Sequence, residues 1–240
     1  MRVWASAVVT MAMMFLALPA MGADVLAELD RLNDGKHVEN YMQSIDLCRQ
    51  ALEARPDDVE LLWRCARAYR WTGELAKRRS AKGWEATCAE NGKLGMQLAG
   101  RVLELAPDRV EGHLWYGYNV GIYSDGVSIL TALKEGLKDK TQKSFEKAYE
   151  VDKNYEDAGA VLALGRFWFV LPWPLSNKKL SMQYLREYQQ TPYFRQKPEG
   201  AIYLAELLIA KGGKENKAKA KELLERYVTT DEKYFLDWRD

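Results

Sequence analysis

LCRQALEARPDDVE, residues 47–60, and LAGRVLELAPDRVE, residues 98–111, agree at seven of fourteen positions. In each copy an apolar-periodic stretch stops at a proline, Pro56 or Pro107, and an aromatic-rich stretch of the same periodicity follows. Proline has no N–H to donate and disfavours helix in the residue before it, so it ends the first helix. Aspartate directly after it is placed to cap the next. A chain that repeats helix, stop, helix is stacking helical hairpins, each hiding the apolar flank of its neighbour.

The same grammar extends in both directions. Upstream, Asp24 to Asp34 carries Leu26, Leu29 and Leu32 at helical spacing before Gly35, and Tyr41 to Ala54 completes a first hairpin. Val59 to Trp71 puts Leu62, Cys65, Ala66 and Tyr69 on one face, with Asp57 and Asp58 as caps, and Gly73 to Ser80 reads as a polar loop. Trp84 to Leu105 is a long amphipathic helix despite Gly92, Gly95 and Gly100, each about 1 kcal/mol worse than alanine there. Such glycines also let a neighbouring helix come close. The third cycle starts at Pro107-Asp108, with Val110 to Ile122 as its first helix and Ser124-Asp125-Gly126 as a break. Phe145, Ala148 and Val151 continue it, and Lys153 stands where the earlier cycles have proline. Ala158 to Val170 opens a fourth cycle, ended by Pro172-Trp173-Pro174 and followed by Lys179 to Gln189. Pro198 to Ala210 and Lys217 to Val228 make a fifth, turning at Gly212-Gly213. No stretch alternates with period two for long enough to be a strand, so the chain is all-α.

The first residues follow another logic. Arg2 precedes an apolar run from Val3 to Leu18, and Pro19-Ala20-Met21-Gly22-Ala23 supplies small residues before Asp24. A charged start, apolar middle and small-residue end predict a secretory signal over residues 1–23, cut after Gly22 or Ala23. The run is short for a bilayer span, and no cysteine follows it for lipid attachment. The expected mature protein is therefore a single helical repeat domain, residues 24–240, periplasmic or secreted, with no membrane span. Losing the leader leaves 34 basic and 34 acidic residues, which argues against a nucleic-acid partner. Lys211, Lys214, Lys217, Lys219 and Lys221 alternate with Glu215, Glu222 and Glu225 and read as a solvated helix face. Cys48, Cys65 and Cys88 have no metal-ligand spacing. Their odd number allows at most one bridge. Small buried hydrophobes, at least for Cys48 and Cys65, and a Cys65–Cys88 disulfide are the alternatives that spacing leaves open.

The repeat positions carry a resemblance. Ala66, Gly117, Gly165 and Ala205 fall where the tetratricopeptide repeat (TPR) has its close-packed small residue. Ser44, Cys48, Ala51 and Pro56 resemble the end of its second helix, as do Gly95, Ala99, Val102 and Pro107. The two prolines are 51 residues apart where that repeat recurs at about 34, so the second and third cycles carry insertions. Inserted repeats with Leu62-Trp63-Arg64-Cys65-Ala66-Arg67-Ala68-Tyr69 and Leu164-Gly165-Arg166 resemble two groups: the T component of tripartite (TRAP) solute transporters and the regulator of microtubule dynamics family. The resemblance implies a right-handed α-α superhelix, a TPR-like solenoid of about five hairpins.

It also implies that the first helix of each hairpin lines an inner curve. Counted from the small residues, the groove candidates are Trp63, Arg67 and Arg70; Leu114, Tyr118 and Gly121; Leu162, Arg166 and Phe169; Ile202, Glu206 and Ile209. An apolar floor with three arginines suits a carboxylate-bearing peptide or a small organic acid. Arg67 and Arg70 have a structural role open to them too, in pairs with Glu60, Glu74 or a neighbouring helix. Trp173, between two prolines, either reaches over the groove or packs on the flank. His37 and His113 lie in different cycles, and no phosphate loop or nucleophile elbow is present. The expectation is a non-enzymatic scaffold without cofactors that binds a protein or peptide partner in the cell envelope, such as a solute-binding protein. The alternative is a periplasmic transporter accessory, TRAP T-component-like, that holds a small apolar or carboxylate ligand.

Overall fold

The computed structural model describes residues 18–34 and 38–228. Among these residues the structure is helical throughout: α1 (Leu18–Asp34), α2 (Val38–Ala54), α3 (Val59–Arg78), α4 (Trp84–Leu105), α5 (Val110–Val127), α6 (Ile129–Lys134), α7 (Leu137–Asp152), α8 (Tyr155–Val170), α9 (Lys178–Gln189), α10 (Tyr193–Gln196), α11 (Pro198–Lys211) and α12 (Lys214–Val228). They form five hairpins, α1–α2, α3–α4, α5–α7, α8–α9 and α11–α12, with α6 and α10 as short inserts.

The two matched segments fold alike. After α2, the Asp58 N–H donates to the Arg55 carbonyl; after α4, the Arg109 N–H donates to the Ala106 carbonyl in the same turn. Asp58 then caps α3, its carboxylate accepting from the backbone N–H groups of Glu60 and Leu61. Arg109, at the equivalent place before α5, offers no such acceptor.

The small positions sit at equivalent helix crossings. A Cβ on Gly117 would press into the Phe145 ring of α7, and one on Gly165 into Leu185 of α9. Ala66 is fully buried against Ala99 and Val102 of α4, and Ala205 is buried with Ala220 of α12. Apolar clusters link consecutive hairpins in sequence: Leu29, Cys48, Leu61 and Cys65; then Leu62, Ala66, Val102 and Trp115; then Leu114, Phe145, Ala160 and Leu164; then Val161, Leu185, Leu204 and Leu207. Each cluster draws on adjacent helices only, which is how a solenoid shares its core.

Two expected breaks are absent. Residues 73–78 continue α3 instead of forming a loop, because Gly73 lets Ile122 of α5 sit where a Cβ would be, and the Cys88 thiol donates to the Gly73 carbonyl at 3.2 Å. Likewise α5 runs through Ser124-Asp125-Gly126 to Val127, with Gly126 against the backbone of Glu85 and Ala89 in α4. The insertion in the second cycle is thus mainly added helix, with α3 and α4 reaching 20 and 22 residues. The cysteines pair differently from either expected alternative. Cys65 bonds to Cys48, Cα atoms 5.7 Å apart, tying α3 to α2 across the hairpin boundary, and Cys88 remains a buried thiol. The leader expected over residues 1–23 lies outside the described residues up to residue 17, and for residues 18–23 only the helical backbone is described. No helix of the described residues is long and apolar enough to cross a membrane.

A Cβ at Gly92 would sit 2.4 Å from the Tyr123 backbone nitrogen, whereas one at Gly100 meets nothing. Gly92→Ala is therefore expected to lower unfolding stability by about 1–3 kcal/mol, the usual cost of overpacking. Gly100→Ala is expected to raise it by about 1 kcal/mol; urea midpoints measure both. The double change Cys48→Ala, Cys65→Ala is expected to cost about 2–4 kcal/mol by releasing a closed loop in the unfolded chain. Thiol titration of the denatured, unreduced protein would find one free thiol, as the bridge requires.

Candidate functional site

The first helices of hairpins two to five, α3, α5, α8 and α11, converge on one cavity of about 610 Å³. Its walls are aromatic, with Trp71, Tyr118, Phe167 and Tyr203 among them, and its polar groups come in facing pairs. On α3, Arg70, Glu74 and Arg78 are spaced by one helical turn and project together. The Glu74 carboxylate lies 2.8 Å from Arg78 Nε and 3.3 Å from Arg70 Nη1. Arg78 also reaches Glu199 at the start of α11, 3.6 Å away, so an ion pair spans the inner curve from the second hairpin to the fifth. Lys77 holds Asp125 of α5 at 2.7 Å, and Lys197 pairs with Asp157 of α8.

Arg70 is the least satisfied of these groups. Its guanidinium lies over the rings of Trp71 and Tyr118, 4.7 and 5.4 Å from their centroids. Its Nη1 is buried and faces the Glu74 carboxylate as an ion pair at 3.3 Å without a well-aligned hydrogen bond, and Glu199 Oε2 is buried without a hydrogen-bond donor among the described residues. Buried polar atoms are nearly always hydrogen-bonded, so these two mark a place where ion pairs are present but the protein's own hydrogen bonding is incomplete. Arg166 of α8 lies 4.5 Å over the Tyr203 ring and pairs with Glu206.

Burial alone would raise the Glu74 carboxyl, but Arg70 and Arg78 outweigh it and bring the group down to about 2. Burial raises the phenols of Tyr118 and Tyr203, which stay neutral, and Tyr118 donates to the Gly159 carbonyl at 3.1 Å. The first turn of α8 is unusual. Glu156, Asp157 and Ala158 all have φ between 49° and 60°, a left-handed conformation costing roughly 1–2 kcal/mol per non-glycine residue. That turn brings Glu156 and Asp157 to the cavity wall.

Of the residues expected to line a groove, Arg70, Tyr118, Gly121, Leu162 and Arg166 border the cavity. The others lie elsewhere. Arg67 is buried and donates to Asp30 of α1 at 2.7 Å, its guanidinium 5.0 Å from the Trp63 ring centre. Trp63 is buried too, its indole N–H donating to Glu60. Leu114 is fully buried in the core between α5, α7 and α8, and Phe169 packs against the last core cluster beneath Arg166. Ile202 is half-buried on α11, Glu206 holds Arg166, and Ile209 and Trp173 are exposed outside the lining. Glu74, Arg78, Glu199 and Tyr203 were not among the sequence candidates. The signal for the first two was present in the spacing 70, 74, 78, but it runs through the segment that Gly73 makes look like a loop.

Because folded Glu74 titrates below an ordinary glutamate, its ionised form favours the native state above about pH 4.5, and that contribution is lost as pH falls toward about 2. Urea unfolding across this window is expected to show a loss to which Glu74 contributes roughly 3 kcal/mol. Glu74→Gln is expected to flatten the slope there and to lower stability at neutral pH.

Comparison with known proteins agrees with this architecture. The family model described as regulator of microtubule dynamics protein 1-3 matches residues 25–172. No curated protein sequence matches the chain. The crystal structure of a thermophilic TPR protein from Thermus thermophilus is similar in fold, with a TM-score of 0.61 at 16% identity over 89% of this chain and 96% of that one.

Proposed function

This chain belongs to the regulator of microtubule dynamics protein 1-3 family, and from that footing we propose that it is an exported interaction scaffold that seats a carboxylate-bearing segment of an envelope protein in its inner cavity. The observation that carries the reading is Arg70: a buried guanidinium flanked by aromatic faces inside a concave wall, held by Glu74 through an ion pair at 3.3 Å but with its Nη1 making no aligned hydrogen bond. A carboxylate there would gain charge-assisted hydrogen bonds in a poorly solvated place. The aromatic walls would hold an adjoining apolar side chain. Guanidinium, ammonium, phenol and carboxylate groups held in mutual pairs form a gripping surface, and the protein's role is binding without catalysis. The buried Cys48–Cys65 bond supports export, since such bonds persist in oxidising compartments.

The size of the cavity favours a second reading. At about 610 Å³ it lies within the roughly 300–1,000 Å³ of small-molecule sites, which would suit a transporter accessory holding a small carboxylate such as a medium-chain fatty acid.

Calorimetric titration with an acidic pentapeptide, the same peptide amidated at its carboxy terminus, and octanoate separates the two. The scaffold reading expects the free-acid peptide to bind, with affinity falling at least about tenfold in Arg70→Ala and less on amidation if side-chain carboxylates are read. Octanoate binding that depends on Arg70, with no response to either peptide, favours the accessory. Peptide affinity unchanged in both Arg70→Ala and Arg166→Ala, with native circular dichroism, contradicts the cavity as the site.

A further inference from the structure

A second surface is built differently from the cavity. Trp173 is 88% exposed in the connection between α8 and α9, and Leu175 beside it and Ile209 in the last turn of α11 are exposed as well. The two segments lie side by side, because Lys178 Nζ donates to the Ala210 carbonyl at 2.9 Å. The loop is braced from behind by the Asn177 N–H on the Trp168 carbonyl. Trp173 stands outside the lining of the cavity.

Lys178 and Lys179 begin α9 just after Leu175, Lys211 ends α11 two residues after Ile209, and Lys214 and Lys217 lie in the first turn of α12; all five are exposed. None of the five pairs with a carboxylate among the described residues. Further along α12, Lys219 holds Glu215 and Lys221 holds Glu225, so the acids interspersed with these lysines are largely answered. The lysine-rich stretch therefore carries a surplus of positive charge where it meets the apolar edge.

We propose that this edge docks the protein on an anionic phospholipid surface, with Trp173, Leu175 and Ile209 entering the headgroup region and the lysines facing lipid phosphates. Tryptophan has an apolar body and a polar N–H and settles at that depth. Lysine ammonium groups on long stems adapt to a charged surface without fixed geometry. A protein partner is the less fitting occupant: stable protein interfaces cover about 800 Å² per side around a shaped, buried core. Here the apolar groups are few and the largest projects instead of lining a recess.

Flotation of the full chain with vesicles of equal phosphatidylglycerol and phosphatidylcholine, and with phosphatidylcholine alone, tests this. The proposal expects recovery with the anionic vesicles that weakens with salt and falls about tenfold in Trp173→Ala. Each of Lys178→Gln, Lys211→Gln and Lys214→Gln is expected to weaken it by up to about fivefold. Brominated lipid should quench more fluorescence in the wild type than in Trp173→Ala. Equal flotation of wild type and all variants would place attachment elsewhere, for instance on residues 3–18, and overturn the proposal. So would equal binding to uncharged vesicles, or capture by polyglutamate with no vesicle binding, which would point to an acidic protein.

Discussion

The structure depends on how closely neighbouring helices can approach. At Gly92 and Gly126 the backbones of α4 and α5 lie where a Cβ would intrude, and Gly117 and Gly165 admit Phe145 and Leu185 into the same place in successive hairpins. Small residues at equivalent crossings keep every pair at similar spacing, and the repeat then propagates by nearest-neighbour packing. Larger residues there would force the hairpins apart and change the curvature. The disulfide between α2 and α3 fastens the first hairpin to the second at a boundary otherwise held by apolar contact and by Asp30 with Arg64 and Arg67.

Curvature in turn creates the cavity. Because the first helices face inward, α3 and α11 come near enough for Arg78 to reach Glu199 although they belong to the second and fifth hairpins. The wall between them is aromatic, so charges there face a less polar surrounding than on an open surface, and Glu74 is held ionised by two arginines against its own burial. Binding would exchange some of these internal pairs for contacts to a ligand. Under the proposed function, a site so arranged would favour partners that bring a negative group and an apolar one together.

Much of this was legible in the sequence. Pro56 and Pro107 fixed the matched turns by acting on their immediate neighbours, and Ala66, Gly117, Gly165 and Ala205 marked the crossings because a small residue recurs at the same place in each first helix. What stayed hidden depended on distant partners. Gly73 looks like a helix end until Ile122 fills the space above it. Cys48 and Cys65 lie 17 residues apart in different hairpins, a pairing that only the packed helices can select. Arg67 and Arg70 share a helix face by spacing, but Asp30 of α1 draws one into the core while Tyr118 and Trp71 hold the other at the cavity. Position along one helix could not separate them; the neighbouring helices do.

The cavity exists because the first helices of hairpins two to five close around a shared space. Zero-length carbodiimide coupling of the Arg78→Lys variant, followed by peptide mass spectrometry, tests that closure most directly. The expected product is an amide link between position 78 and Glu199, alongside Lys77 to Asp125 and Lys197 to Asp157. Links confined to adjacent hairpins, with Glu199 never joined to α3, would contradict it.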